Sequence, residues 1–117
     1  MVAVFKRRVK ESTVENSFIR KCRNYEQPLK LRKMNGEGNR SWPDRMILGS
    51  QGFTAFIEFK RPGEKPTELQ SEMLQELGQL GFPASWFDDA TKAFDWLTHQ
   101  YTCHLSLVSD RKGRRGK

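Results

Sequence analysis

Between residues 53 and 60 apolar and polar positions alternate along the chain. Phe53, Ala55, Ile57 and Phe59 fall on one side, and Thr54, Phe56, Glu58 and Lys60 on the other. A period of two predicts a strand over 53–60, and Arg61-Pro62-Gly63 ends it. Elsewhere the period lengthens. Val14, Phe18, Cys22 and Tyr25 recur every three or four residues, which predicts a helix over 12–24. Ser12-Thr13-Val14-Glu15 has the form of a capping box at its start. Leu69, Met73, Leu77 and Leu80 predict a second helix over 67–80, opened by the capping box Thr67-Glu68-Leu69-Gln70 and closed by Gly81. Ala90, Ala93, Phe94, Leu97 and Tyr101 predict a third over 89–101. Short apolar segments at 29–32, 45–49 and 82–87 read as further strands, with a turn-rich loop at 35–44 and a tight turn at 49–52. The resulting order, αβββαβ and then a C-terminal helix, predicts an α/β fold: one small mixed sheet with flanking helices. The unit from 53 to 87 should be a right-handed parallel crossover.

The chain has 117 residues, which suits one domain. No apolar run approaches the ~20 residues that span a bilayer. MVAVFKRRVKES turns from apolar to charged too early for a signal peptide. Cys22 and Cys103 are 81 positions apart and form no CxxC pair, which argues against a disulfide scaffold or a cysteine-based zinc module. It suits a reducing, cytoplasmic setting. The net charge is +7, but nine of the 21 Lys and Arg residues lie in 1–10 and 111–117, where there is no acid. The chain therefore divides into a basic N-terminal arm (1–10), one domain (11–103) and a basic C-terminal tail (104–117). The body is itself polarised. Residues 20–45 hold eight basic and three acidic side chains, whereas 64–95 hold seven acids against Lys65 and Lys92. A polyanion would meet the first stretch and the arms.

The chemistry centres on Pro43-Asp44, then thirteen residues, then Glu58-Phe59-Lys60. Glu58 and Lys60 share a strand face, ~6.5 Å apart along the backbone. A hairpin turning near residue 51 sets Asp44 opposite Glu58, so two carboxylates meet beside one lysine. Two hard oxygen donors suit Mg²⁺ or Mn²⁺, which keep waters and accept phosphate oxygens. The metal activates water and polarises a phosphodiester, and the lysine orients that water and balances developing charge. Taken singly, Asp44 could be a turn residue and Glu58–Lys60 a solvated pair.

The run Pro43-Asp44-Arg45…Phe56-Ile57-Glu58-Phe59-Lys60-Arg61-Pro62-Gly63…Pro66-Thr67-Glu68-Leu69-Gln70, followed by Leu80-Gly81-Phe82, resembles the virus-type replication-repair nuclease (VRR-NUC) domain of the PD-(D/E)xK nuclease superfamily, over about residues 11–100. The resemblance implies a restriction-endonuclease-like core. It implies that Asp44 and Glu58 bind metal, that Lys60 is the catalytic lysine, that Glu15 assists the metal through water, and that Gln70 lines the same site. Glu15 and Gln70 also occupy the N3 position of their capping boxes, a role that needs no metal. One departure is Ser41, two positions before Pro43, where the family usually has glycine.

The expected activity is that of a metal-dependent, structure-selective DNA endonuclease acting on branched DNA. Free-standing members of this family look like dimeric Holliday-junction-resolving nucleases that leave 5′-phosphates, and a homodimer would supply two active sites. Lys30, Arg32, Lys33, Arg40, Arg45 and Arg61 flank the site as candidate phosphate contacts, and Trp42 as a base-stacking aromatic. The alternatives are a non-catalytic nucleic-acid-binding module that uses the basic arms, and a flap- or RNA-directed nuclease.

Overall fold

A computed structural model describes residues 9–34 and 41–115. Its elements are helix α1 (Glu11–Arg23), strand β1 (Leu29–Lys33), strand β2 (Arg45–Gly49), a 3₁₀ turn (Ser50–Gly52), strand β3 (Thr54–Phe59), helix α2 (Glu68–Gln79), strand β4 (Ala84–Phe87) and helix α3 (Ala90–Arg115). The strands form one sheet in the order β1-β2-β3-β4. The first three are antiparallel neighbours, and β4 joins β3 in parallel after the α2 crossover. The sheet is thus mixed and flanked by helices, in the expected order.

Alternation along β3 decides the two faces. Phe53, Ala55, Ile57 and Phe59 are fully buried on one face, with Ile47 beside them. Val14, Phe18 and Cys22 of α1 and Ala93, Leu97 and Tyr101 of α3 close over that face to make the core. Each large apolar side chain buried there contributes roughly 1.5–3 kcal/mol. Phe18 packs on Phe59 with ring centroids 5.2 Å apart, and Phe53 stacks on Tyr101 at 4.7 Å. The opposite face carries Phe56 and Glu58 and is covered by α2, through buried Leu74 and Leu77, on its β4 side.

Local chemistry explains most boundaries. α2 begins with a complete capping box, Thr67 and Gln70 each bonding the other's backbone N–H. It ends before Gly81, whose φ of +99° suits a residue without a side chain. β4 is shorter than the apolar run 82–87, because Pro83 has no N–H for the ladder, although its carbonyl still accepts from Phe56.

Two expectations are corrected. α1 starts at Glu11 with Lys10 as N-cap and no side-chain cap, so Ser12-Thr13-Val14-Glu15 is not a capping box. The last helix does not stop at 101. Leu105 and Val108 continue the spacing of Leu97 and Tyr101, no proline intervenes, and the helix runs through the expected tail region to Arg115. The basic arm falls mostly outside the described residues. No helix among the described residues is long and apolar enough to cross a membrane.

The β2–β3 turn is tied to α3. The Tyr101 hydroxyl accepts from Ser50 N at 2.6 Å and donates to the Pro28 carbonyl at 3.0 Å. Its ring lies so near Gly49 that a Cβ there would sit 2.6 Å from a ring carbon. Gly49→Ala should therefore cost about 1–3 kcal/mol of unfolding free energy in urea denaturation, because the buried ring has no room to retreat.

Candidate active site

The β2–β3 register pairs Arg45 with Ile57. One further step along the two strands sets Asp44 opposite Glu58, and hydrogen bonds tie the two positions together. Glu58 Oε1 accepts from Asp44 N at 3.2 Å, and Asp44 Oδ2 accepts from Phe59 N at 2.7 Å. Both residues are only 3% exposed, and Pro43 is fully buried beside them. Lys60 Nζ lies 3.3 Å from Glu58 Oε2 with its side chain 11% exposed. Its backbone is fixed too, since Lys60 N donates to Phe87 O of β4. Strand pairing on both sides thus holds Asp44, Glu58 and Lys60 together at one end of the sheet.

Burial raises the Glu58 pKa to about 7, and the neighbouring Asp44 charge adds to the rise. Lys60 opposes it through charge and hydrogen bonding but does not cancel it. The site is therefore two crowded acids that a cation would relieve. Among the described residues no three His, Cys, Asp or Glu side chains converge to cage a metal unaided. Two carboxylates with open coordination suit Mg²⁺ or Mn²⁺, which retain water and take up substrate oxygens. The donor set fits such an ion.

The other sequence candidates are placed differently. Glu15 projects from α1 onto β2, where its Oε2 takes Arg45 Nε at 2.6 Å, so these two candidates engage each other. Glu11, one turn earlier on α1, was not singled out from sequence. Burial raises its pKa, and the Asp44 charge raises it further while Lys60 lowers it, so it lies within the electrostatic reach of the site. The missed signal is its i−4 relation to Glu15 on the same helix face. Gln70 holds its capping role, with Oε1 accepting from Thr67 N at 2.9 Å. Arg61 pairs with Glu64 on the loop after β3. Asp88 also reaches that loop, accepting from Gly63 N at 3.2 Å. Trp42 is half-buried, edge-on to Phe56 at 6.3 Å. Lys30, Arg32 and Lys33 are exposed on β1. Arg40 lies outside the described residues.

No protein-family model and no curated protein matches the chain. Solved structures do. One, described as a VRR_NUC domain, superposes with a TM-score of 0.66 at 20% identity, covering 78% of this chain and 97% of that one. The chain has the VRR-NUC fold. That fold is the restriction-endonuclease-like arrangement described above, with a four-stranded mixed sheet between helices. At 20% identity the likeness speaks for the VRR-NUC fold, and the chemistry rests on the side chains that this chain places on it.

The raised Glu58 pKa has a consequence for stability. An ordinary glutamate in the unfolded chain loses its proton near 4.5, whereas the native protein holds it to about 7. Over that window the native state binds more protons, so stability falls as pH rises, and the full penalty is present above 7. Glu58→Gln removes this contribution. Metal-free wild type should lose on the order of 1–3 kcal/mol more than the variant between pH 5 and pH 8, measured by chemical denaturation.

Proposed function

We propose that this domain is a metal-dependent nuclease that hydrolyses backbone phosphodiesters in DNA. The observation that carries the reading is the convergence of Asp44 and Glu58 across β2 and β3, with Lys60 3.3 Å from Glu58. An ordinary surface ion pair would not need two carboxylates at 3% exposure. Burial and the neighbouring Asp44 charge disfavour the charged form of Glu58, and that cost makes sense where a cation binds.

Asp44 and Glu58 would hold Mg²⁺ or Mn²⁺. Such an ion supplies Lewis acidity to the scissile phosphate and the attacking water. The backbone N–H groups of Asp44 and Phe59 each hold one carboxylate oxygen, and so fix where the remaining donors point. Lys60 brings a cation that is nearly buried, orients the attacking water by hydrogen bonding, and offsets charge that builds on the phosphate. Its backbone is fixed by the bond to Phe87 O, and its ammonium sits 3.3 Å from Glu58 Oε2.

The finer reading is a structure-selective endonuclease on branched DNA, of the Holliday-junction-resolving type, acting as a homodimer. One domain holds one such site, and a two-fold pair would present two to the matched strands of a four-way junction. Glu15 enters this reading through Arg45, by bracing α1 against the strand that carries Asp44.

A labelled four-way junction and a matching linear duplex, incubated with Mg²⁺, Mn²⁺ or EDTA, test the reading. Wild type should cut the junction only with metal. Lys60→Ala should lose about 10²–10³-fold in rate while still binding DNA. Binding without cutting in either metal would instead indicate a non-catalytic module. The same site predicts a pH effect in the absence of substrate. Proton and metal compete for Glu58, so the rise in melting temperature on adding Mn²⁺ should be clearly larger at pH 8 than at pH 6. The apparent affinity should fall up to about tenfold per pH unit below 7. Asp44→Asn should lose this shift.

A further inference from the structure

The sheet face that carries Glu58 and Lys60 is covered unevenly. α2 packs against β4 on one side. On the other side, β1 and β2 present Lys30 and Arg32, Met46 and Leu48. Parity places these four together, because Leu29, Leu31 and Ile47 turn to the core face. The register sets Arg32 beside Met46 and then Phe56 in one row, and Lys30 beside Leu48 and then Thr54 in the next. Lys30, Arg32 and Leu48 are exposed, and Met46 is half-buried. Trp42 adjoins the row from above, edge-on to Phe56.

Charge on this face is divided. Glu68, Glu72 and Glu76 are exposed on α2, the helix that packs on the β4 side of this face. On this face β1 carries two cations, Lys30 and Arg32, with no acid in the strand and no ion pair to either among the described residues. A polyanion crossing the face is repelled on the α2 side and held on the β1 side. From Glu58, Arg32 is one row and two strands away, and Lys30 is two rows away, roughly 12 and 16 Å. The two cations are themselves two residues apart, about 6.5 Å, a spacing that suits successive phosphates of an extended strand. Between them and the carboxylates lies a mainly apolar floor of Trp42, Met46 and Leu48, with Phe56 buried beneath Trp42. A duplex keeps its bases stacked inside and would gain little from such a floor, whereas an unpaired strand can lay its bases on it.

We propose that the β1–β2 half of this face is a track for an unpaired nucleic-acid strand, with Lys30 and Arg32 on its phosphates and Trp42, Met46 and Leu48 beneath its bases and sugars. The track rests on the nuclease reading for its purpose, since it leads a strand to Glu58 and Lys60. It separates the basic candidates. Lys33 falls on the other face of β1, and Arg45 and Arg61 are already engaged by Glu15 and Glu64.

Binding of labelled oligothymidylate and of a blunt duplex of equal length, followed by anisotropy in EDTA across a salt series, tests the track. Lys30→Ala/Arg32→Ala should weaken single-strand binding about tenfold or more at 0.1 M salt. It should flatten the log–log salt slope by about 1.4, the value for two lost phosphate contacts. The loss on duplex should be smaller. Trp42→Ala should weaken single-strand binding about five-fold or more without changing the slope. A double variant with the same charge loss in the acid-rich stretch, Lys65→Ala/Lys92→Ala, should leave both nearly unchanged. An unaltered slope in Lys30→Ala/Arg32→Ala overturns the track, as does an equal loss on duplex or in the control pair. So does a change from dimer to monomer caused by that variant, which would assign the face to a second copy of the chain. Cleavage of a flapped duplex with Mn²⁺ keeps the two readings apart. A wild type that never cuts but shows the single-strand pattern sinks the nuclease and leaves the track. A wild type that cuts no faster than Lys30→Ala/Arg32→Ala sinks the track and leaves the nuclease.

Discussion

Two carboxylates buried side by side are the constraint from which the rest of the molecule can be understood. Asp44 and Glu58 are both 3% exposed and repel each other, and nothing in their own chemistry would bring them together. Strand pairing does it. Each has one oxygen bound to a backbone N–H of the opposite strand, so the contact that fixes the sheet also fixes the acids. Lys60 supplies a nearby cation, and the remaining imbalance appears as the raised pKa of Glu58. Marginal proteins tolerate such local cost only where the surrounding structure determines the geometry independently.

That independence comes from the far end of the hairpin. A slip of one residue between β2 and β3 would move Asp44 off Glu58 and turn Ile47 away from the core. The register is held by the Ser50–Gly52 turn, where Gln51 takes a left-handed φ of 60°. Tyr101 of α3 clamps that turn, bonding Ser50 N and Pro28 O and filling the space at Gly49. A buried tyrosine about six residues up the strands from the acids therefore helps to decide whether they face each other. The core face and the chemical face of β3 are two consequences of one alternation, because Phe59 cannot enter the core unless Glu58 faces the other way.

Much of this was legible in the sequence because it is local or periodic. The alternation 53–60 needs only the period of a strand, and the Asp44–Glu58 pairing needs only that strand, a short turn and counting. The α2 capping box was legible for the same reason, since both partners lie within four residues. The failures share the opposite property. Ser12-Thr13-Val14-Glu15 matched the local pattern of a cap, but Glu15 is claimed by Arg45, thirty positions away, and the helix begins a residue earlier. Local capping worth about 1 kcal/mol yields to a well-placed charge pair at 14–18% exposure and to packing of Val14 and Phe18. The last helix was cut short because a run of basic residues reads as a tail. Helix formation is cooperative, and a helix already seated on Leu97 and Tyr101 can continue without new burial.

The same local-versus-distant contrast bears on how the site meets its substrate. Formal charge along the chain suggested one basic stretch between residues 20 and 45. The fold breaks that stretch up, turning Lys33 to one face, locking Arg45 to Glu15, and leaving Lys30 and Arg32 on the face of Glu58. The acids of α2 are exposed on the helix that packs on the β4 side of that face. Net charge therefore describes attraction at long range, where arms and body act together, but not the final approach. Within a Debye length of about 10 Å what matters is which strand, and which side of it, carries each cation. An anion arriving over this sheet meets a gradient, basic at β1 and acidic at α2, with the two buried carboxylates between. A divalent ion at those carboxylates would reverse the local sign and let the gradient end at the scissile phosphate rather than short of it. On this reading the crowding of Asp44 and Glu58 and the one-sided charge of the face serve the same purpose, and neither would suffice without the other.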